Sequence, residues 1–215
     1  MNKGLECILI IDYGSQYTQL IARRIREINV FCLVYPYNKI TKKLLDELKP
    51  SAFILSGGPK SVLDKNSPKL NKYILSLNKP LLAICYGMQL ICHSLKGKIK
   101  SSSHREYGHT LIKINKRSLI FDGINKRSIK VWMSHGDNIN KIPKHFSITS
   151  YSNNKIISSI ENIKKNLYGL QFHPEVFHTD FGLTIIKNFV FKISKVTNKF
   201  EIKYFIRNKI EGLKN

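Results

Sequence analysis

The sequence predicts an α/β fold in which a mostly parallel central sheet is flanked by helices, with a β-rich second half. Two observations predict it. Up to about residue 97, short apolar segments alternate with segments whose apolar residues recur at helical spacing. Beyond that point, short apolar segments follow one another and are separated by turn residues. Strand and helix alternation is typical of parallel sheets whose ligands bind outside the carboxyl ends of the strands.

The first half contains four predicted strands and three predicted helices. The first strand covers 7–13, and Gly14-Ser15 opens a helix with apolar residues three and four positions apart at Leu20, Ile21, Ile25 and Ile28. The remaining predicted elements of this half are strands over 30–35, 52–55 and 81–85 and helices over 41–48 and 68–77.

The second half is predicted to be mainly strands, followed by one helix. The strands are expected over 110–114, 129–133, 155–160 and 167–172, and the helix over 181–193. With 215 residues and 42% hydrophobic composition, the chain can bury a substantial core as one domain. We expect this domain to cover 1–197 and to be followed by a helical tail or linker over 198–215, leading toward a missing or separate domain.

Cys85 stands where an apolar strand turns abruptly into a helical pattern. The segment Leu81–Cys85 is bounded by Lys79-Pro80 before it and Gly87 after it. A thiol at such a turn projects from the top of the sheet, and the N–H groups of the following helix favour its thiolate form. The alternative is a core cysteine, since free cysteine is among the most buried residue types.

His173 and Glu175 are the candidates for activating that thiol. The segment 168–176 alternates enough to be a strand, and residues two apart on a strand share a face. A cysteine nucleophile needs a base to take its proton, and the base needs a carboxylate to orient it. A histidine beside a proline can also be a simple turn residue, so the pairing with Cys85 is what favours the triad.

These segments together resemble a known family. The chain is similar to the class I glutamine amidotransferases, and within them to the glutaminase part of the GMP synthases, over roughly residues 7–190. The segments that carry the resemblance are 11–20 (IDYGSQYTQL), 55–59 (LSGGP), 85–89 (CYGMQ), 105–108 (REYG), 131–137 (VWMSHGD) and 171–176 (QFHPEV). Nothing like the Ser-Gly-Gly-x-Asp-Ser loop that opens the ATP-pyrophosphatase domain of the usual GMP synthase follows Lys195.

The resemblance implies a flavodoxin-like fold and a set of site residues. Glutamine would be hydrolysed through a thioester, and the ammonia would pass to a synthetase domain or subunit that binds XMP and uses ATP and Mg²⁺. No cofactor and no metal is expected in this chain. The implied site residues are Cys85, His173 and Glu175 as the catalytic triad, the amides of Gly58 and Tyr86 as the oxyanion hole, and Gly57, Gln89, Ser134, His135, Gly136 and Asp137 as the glutamine pocket, with Asp137 facing the substrate ammonium.

The glycine-rich turn Ser56–Pro59 could also be read as a phosphate loop. The spacing Gly-x4-Gly-Lys-Ser/Thr is absent, however, and Lys60 stands where a pyrophosphatase loop requires aspartate. Glycine lets backbone N–H groups approach a developing oxyanion, which makes oxyanion stabilisation the favoured interpretation.

The net charge of +22 invites a nucleic-acid interpretation. The cations are scattered, lysine far outnumbers arginine, and no nucleic-acid motif is recognisable, so we expect compositional bias and no nucleic-acid partner. The alternative is that the charge attracts an anionic nucleotide substrate or an acidic partner. No long apolar run and no metal-type cysteine pairing occurs, which favours free thiols and a cytoplasmic protein without a membrane contact. Two alternatives stay open: a stand-alone hydrolase of another γ-glutamyl compound, and a basic binding protein without catalysis.

Overall fold

The computed structural model describes residues 6–197, except for the side chains of residues 102–104. The predicted tail over 198–215 lies outside the described residues. The helices are α1 (Thr18–Glu27), α2 (Lys42–Leu48), α3 (Lys72–Ser76), α4 (Tyr86–Ser94) and α5 (Gly182–Lys187), the last continuing as a π-helix over Asn188–Ile193. The strands are β1 (Ile8–Asp12), β2 (Cys32–Pro36), β3 (Ala52–Leu55), β4 (Leu81–Ile84), β5 (Lys98–Ile114), β6 (Ser128–Lys141), β7 (Ser147–Ser152), β8 (Ile157–Asn162) and β9 (Leu167–Leu170).

All nine strands of the described residues form one mixed sheet in the order β2-β1-β3-β4-β9-β8-β7-β5-β6. Pairing is parallel from β2 to β9 and antiparallel from β9 to β6. This confirms the predicted α/β class with a parallel core and a β-rich second half.

Two apolar clusters cover the two faces of the parallel strands. Alternate residues of β1 divide between them, with Ile8 and Ile10 on one face and Leu9 and Ile11 on the other. Strands buried on both faces need continuous apolar sequence, which explains why β1, β3 and β4 consist of Ile, Leu, Ala and Phe apart from Asp12 at the end of β1. None of the helices in the described part of the chain is long and apolar enough to cross a membrane.

Several predicted boundaries were wrong. The helix predicted over 68–77 is confined to α3 because Asn71 caps it, its side chain accepting a hydrogen bond from the Tyr73 amide at 3.0 Å. The strands predicted over 110–114 and 129–133 are parts of the much longer hairpin β5–β6, which pairs from Lys98 with Lys141 to Lys113 with Ser128. β7 was not predicted.

Candidate active site

The candidate site lies where four neighbouring strands end. β1, β3, β4 and β9 are adjacent and parallel, so the residues that follow them meet at one edge of the sheet. A cavity of about 550 Å³ opens there. It falls within the size range of small-molecule sites and lies outside the carboxyl ends of the strands, as expected for an open α/β sheet.

Cys85 occupies a strained turn between β4 and α4. Its φ of 51° and ψ of −108° lie outside the regions that L-residues normally adopt. The turn is held by the Cys85 amide, which donates to the Leu170 carbonyl at 2.7 Å, and by the Gly87 amide, which donates to the Ser56 carbonyl at 3.2 Å. A Cβ on Gly87 would lie 2.8 Å from the Leu55 carbonyl oxygen, so only glycine lets α4 approach β3 this closely.

Cys85 lines the cavity, and the residue as a whole is 5% exposed. The thiol is 3.5 Å from the Ser134 carbonyl oxygen and can donate to it. Cys85 is therefore buried, as a core cysteine would be, but its side chain lines the cavity. Only small groups that enter through this cavity can reach the sulfur.

His173 and Glu175 form a buried pair with Nδ1 and Oε1 2.7 Å apart. Their predicted placement on a strand was wrong, because β9 ends at Leu170 and both residues lie in the turn that follows. Pro174 lacks an N–H group and could not continue a central strand. The turn is fixed by the His173 amide, which donates to the Trp132 carbonyl at 3.0 Å, and by the Thr179 hydroxyl, which donates to the His173 carbonyl at 2.6 Å.

The surroundings of His173 favour its protonated form. Burial alone would lower the pKa of His173, but the Glu175 carboxylate, the Cys85 sulfur and hydrogen bonds to both raise this pKa well above its ordinary value of 6.5. Tyr17 packs edge-on against the imidazole, with ring centroids 4.9 Å apart. The site can therefore hold a proton on the imidazole beside the Cys85 sulfur at neutral pH.

Gly57 leaves the space in which Cys85 and His173 meet. A Cβ on Gly57 would lie 3.1 Å from Cε1 of His173, 3.3 Å from the Ser15 hydroxyl and 3.6 Å from Cβ of Cys85. Gly57 is not part of the cavity wall. The structure thus gives this glycine a packing role beside Cys85 and His173, whereas its predicted contact with glutamine stays a prediction.

The amides of Gly58 and Tyr86 are available at the cavity. Both residues line it, and neither amide donates a hydrogen bond to another residue within 6–197. Gly58 is required for the close approach, since a Cβ there would lie 2.7 Å from the Tyr13 carbonyl oxygen. The Tyr86 hydroxyl donates to the Pro68 carbonyl at 2.6 Å, which anchors the start of α4. Free N–H groups beside a nucleophile are what an oxyanion hole requires.

Residues of the predicted glutamine pocket form another part of the cavity wall. The Gln89 side-chain amide donates to the Asp137 carbonyl at 2.9 Å and to Oε1 of Gln171 at 3.2 Å, which fixes the first turn of α4 against β6. The Asp137 carboxylate accepts a short hydrogen bond from the Ser61 hydroxyl. Of the eleven predicted site residues, nine line the cavity: Gly58, Cys85, Tyr86, Gln89, Ser134, His135, Gly136, Asp137 and His173.

A second buried histidine–carboxylate pair supports this wall and was not predicted. Glu106 and His135 are opposite each other in the β5–β6 ladder, and His135 Nε2 lies 3.2 Å from Glu106 Oε2. His135 Nδ1 lies 3.2 Å from the Asp137 carbonyl oxygen. Ser152 and Asn154 donate to Glu106 Oε1 at 2.7 and 2.9 Å. Both ring nitrogens of His135 thus face acceptors, and both contacts are hydrogen bonds only if the ring carries two protons.

Hydrogen bonding keeps Glu106 ionised in this pair. Burial alone would raise the pKa of Glu106, but the hydrogen bonds from His135, Ser152 and Asn154 hold it below its ordinary value. The pairing of 105–108 with 134–137 across antiparallel strands is the signal that could have identified Glu106. It was missed because both strands were predicted to be shorter.

The cavity wall also carries two cations that were not predicted to be site residues. Lys60 and Arg105 contribute cations to its wall, and Asp137 contributes the carboxylate. A free amino acid carries an ammonium and a carboxylate on one carbon, so a wall of mixed charge suits its head group.

Four other histidines were expected to be surface or structural residues. Three of them are exposed, namely His109, His145 and His178, and the side chain of His104 is not among those described.

Comparison with known proteins shows the family of the chain. The family described as glutamine amidotransferase class-I matches residues 9–193. The chain belongs to this family. A GMP synthase [glutamine-hydrolyzing] of Brachyspira hyodysenteriae is 44% identical over 214 residues, which cover 100% of this chain and 41% of that protein. The GMP synthase [glutamine-hydrolyzing] of Prochlorococcus marinus (strain MIT 9515) is 46% identical over 208 residues, or 96% of this chain and 39% of that protein.

Solved structures of amidotransferases share the fold. A protein of Thermoplasma acidophilum described as a GMP synthase subunit superposes with a TM-score of 0.75 at 28% identity, covering 90% of this chain and 96% of that one. A glutamine amidotransferase of Thermotoga maritima superposes with a TM-score of 0.71 at 16% identity, covering 90% of this chain and 100% of that one. This amidotransferase chain spans about two fifths of the length of the curated relatives it matches.

The other three cysteines of the amidotransferase are poor nucleophiles. All four thiols are free, but burial raises the pKa of Cys7 and of Cys92 to about 12 and also raises the pKa of Cys32. A thiol with so high a pKa remains protonated at neutral pH and reacts slowly. Cys85 is also the only cysteine in the described residues that lines the candidate cavity.

Proposed function

We propose that this chain is the glutaminase component of a GMP synthase, which hydrolyses glutamine and supplies ammonia for the amination of XMP to GMP. The observation that carries the proposal is the Cys85 sulfur at the wall of a cavity, beside an imidazole that Glu175 orients at 2.7 Å. A buried His–carboxylate pair beside a strained cysteine is the arrangement of a cysteine triad.

The first half-reaction forms a thioester. The Cys85 thiolate attacks the carboxamide carbon of glutamine, and the amides of Gly58 and Tyr86 donate to the resulting oxyanion. The C–N bond then breaks, and the imidazolium of His173 gives its proton to the departing nitrogen, which leaves as ammonia. Because the pKa of His173 is raised, the proton needed for this step is already on the imidazole.

The second half-reaction restores the enzyme. A water molecule gives a proton to His173 and attacks the thioester carbon, the C–S bond breaks, and glutamate leaves. Glu175 stabilises the imidazolium each time that it forms. Glu175 Oε2 has no hydrogen-bond partner in the described structure, so its negative charge is directed mainly to the histidine.

The cations and the carboxylate at the cavity wall bind the ammonium and carboxylate of the glutamine head group. Asp137 faces the ammonium after displacing its contact with the Ser61 hydroxyl, and Arg105 lies near Gly136 on the same wall, 3.6 Å from the position that a Cβ on Gly136 would take. A site with paired charges disfavours substrates that lack either group, since one charge of the site would then have no partner on the substrate.

The ammonia is consumed by a synthetase domain or subunit outside the described residues. The relatives of more than twice this length are named GMP synthases, while the Thermoplasma acidophilum protein is described as one subunit of such an enzyme. ATP and Mg²⁺ belong to that partner, where adenylation activates XMP for attack by ammonia. No cofactor or metal is proposed for this chain.

The experiment compares glutamate release by the wild type, Cys85→Ala and Cys7→Ala, with and without the synthetase part of the Brachyspira hyodysenteriae GMP synthase, ATP, Mg²⁺ and XMP. We expect the wild type and Cys7→Ala to release glutamate and to support GMP formation, and Cys85→Ala to do neither. Background rates alone in all three proteins would leave only a non-catalytic binding protein. Turnover of other γ-glutamyl compounds but not of glutamine would favour a stand-alone hydrolase.

A further inference from the structure

A second cavity, of about 870 Å³, lies at the connection between β5 and β6. It is lined mainly by residues 114–127, together with Ile163 and Tyr168. It shares no lining residue with the cavity at Cys85. None of the residues proposed for glutamine hydrolysis accounts for it.

The sequence at this cavity contains a short internal repeat. The tetrapeptide Asn-Lys-Arg-Ser occurs at 115–118 and again at 125–128. One copy follows the end of β5, the other leads into β6, and both contribute their Asn, Lys and Arg to the cavity wall. The hairpin therefore brings two lysines and two arginines together around one space.

The cations exceed the anions that could neutralise them. Lys116 lies 3.4 Å from the buried carboxylate of Glu161, and Asp122 is paired with Lys192 at 2.6 Å. The guanidinium groups of Arg117 and Arg127 form no ion pair or hydrogen bond with any residue in the described range. Two exposed guanidinium groups beside one cavity provide planar donors that match phosphate oxygens.

The connection is held in place, so the cations are not on a free loop. The Ile114 amide donates to the Arg127 carbonyl at 2.8 Å, which closes the base of the connection. The buried side chain of Asn188 donates to the carbonyls of Ile120 and Asp122 at 3.1 and 2.8 Å, which fastens its middle to the π-helix. A pre-organised site loses less entropy on binding than a flexible one.

Apolar side chains complete the wall and distinguish this cavity from a simple phosphate site. Leu119 and Ile163 are 49% and 56% exposed, and Tyr168 is buried beneath them. Large apolar residues next to unpaired guanidinium groups suit a ligand with an anionic end and a flat apolar part. A purine nucleotide has both.

We propose that the cavity between β5 and β6 binds a nucleoside phosphate, with the phosphate at Arg117 and Arg127 and the base against Leu119 and Ile163. Its volume falls within the range of roughly 300–1,000 Å³ typical of small-molecule sites. The cations that line the cavity all come from this one connection, which suits a single phosphate group better than the extended backbone of a nucleic acid. The site is independent of glutamine hydrolysis and does not depend on that proposal.

Calorimetric titration of Cys85→Ala protein with AMP, GMP, XMP and inorganic pyrophosphate tests the site without any turnover. We expect at least one nucleotide to bind, with an affinity that falls as salt is added. In the Arg117→Gln/Arg127→Gln variant the affinity should fall by about tenfold or more, because two charge-assisted contacts are lost. The matched control is Lys39→Gln/Lys43→Gln, which removes two exposed cations elsewhere and should bind within about twofold of the parent.

Three outcomes would overturn the proposal. These are the absence of nucleotide binding at millimolar concentrations, an equal loss in the lysine control, and pyrophosphate binding as tightly as every nucleotide. A single-stranded oligonucleotide that binds far more tightly than any mononucleotide, and loses this affinity in the arginine variant, would assign the surface to nucleic acid instead. A Leu119→Ser variant that weakens nucleotide but not pyrophosphate binding would support the placement of the base.

Discussion

The imidazole of His173 lies against the backbone of Gly57, so closely that a Cβ on residue 57 would be 3.1 Å from Cε1 of the ring. The same Cβ would be 3.6 Å from Cβ of Cys85. The gap between the sulfur and the base therefore depends on the absence of a side chain at this position. Contacts of 3.0–3.4 Å require the neighbouring group to move by a few tenths of an ångström.

The first prediction concerns Gly57→Ala. The added methyl group meets the edge of a side chain that can shift, so we expect the protein to fold and the imidazole to move away from Cys85. A small displacement of a catalytic group can reduce the rate by about 10²-fold. Glutaminase kcat should fall to that extent while the melting temperature changes little, as measured by glutamate release and thermal unfolding.

Gly58→Ala is the comparison for this prediction. Its Cβ would lie 2.7 Å from the Tyr13 carbonyl oxygen, a backbone atom that cannot move independently. We expect a clear drop in melting temperature for Gly58→Ala, in contrast to Gly57→Ala. If Gly57→Ala keeps full activity, the spacing of His173 and Cys85 does not depend on this glycine.

The turn at Cys85 could be predicted from sequence because it rests on local rules. An unbroken apolar segment ending next to Gly87 predicts a buried strand followed by a sharp turn, and β4 and α4 meet there. The pairing of His173 with Glu175 was predicted from their spacing, although a turn and not a strand holds them. Their position beside Cys85 depends on the pairing of β4 with β9, an order of strands that was not predicted.

Other features could not be predicted because they depend on long-range pairing. β7 is rich in serine and threonine, and it is a strand because its hydroxyl groups are satisfied internally, Thr149 and Ser150 both bonding to Ser159 of β8. The pair of Glu106 and His135 is separated by 29 residues in sequence and meets only through the register of β5 with β6.

The second prediction is a pH dependence of Glu175→Gln. The pKa of His173 is raised in the folded protein, largely by the charge of Glu175 working against burial. A raised histidine pKa contributes stability that is fully present below the unfolded value of about 6.5 and is lost as the pH rises through the higher folded value. The difference in melting temperature between wild type and Glu175→Gln should therefore be largest below pH 6.5 and shrink at alkaline pH.

The activity of Glu175→Gln should fall as well, by at least about 10²-fold, because the imidazolium loses its stabilising charge. Glu27→Gln is the matched control, since Glu27 pairs at the surface with Arg23 and Arg24 and contacts no histidine. Its melting difference should remain nearly constant from neutral to alkaline pH. A difference for Glu175→Gln that grows with pH would contradict the assigned direction of the His173 shift.

The third prediction separates Glu106→Ala from Glu106→Gln. Alanine leaves His135, Ser152 and Asn154 without their acceptor, and breaking a buried pair typically costs about 3–5 kcal/mol. Glutamine can instead donate to Nε2 of a neutral His135 while Nδ1 still donates to the Asp137 carbonyl. The Ser134–Asp137 wall should then stay in place.

The expected kinetic result is a KM for glutamine that rises by about tenfold in Glu106→Ala with a much smaller change in kcat, and a KM close to the wild-type value in Glu106→Gln. Steady-state glutamate release measures both parameters. Equal KM values for the wild type and a folded Glu106→Ala protein would show that the pair does not support the glutamine wall. Should the alanine variant fail to fold, an elevated KM in Glu106→Gln would equally contradict the prediction.

The fourth prediction concerns Asn188→Ala. The Asn188 side chain is buried and donates to two carbonyls of the β5–β6 connection, at 3.1 Å to Ile120 and 2.8 Å to Asp122. Alanine would leave at least one of these acceptors without a partner, at a cost of about 1–3 kcal/mol. For a chain of this size that corresponds to a melting temperature lower by about 3–10 °C, which thermal unfolding measures.

The control is Asn125→Ala, which removes an exposed asparagine from the same connection and should change the free energy of unfolding by less than about 0.5 kcal/mol. Equal melting temperatures for the two variants would mean that Asn188 does not fasten the connection to the π-helix.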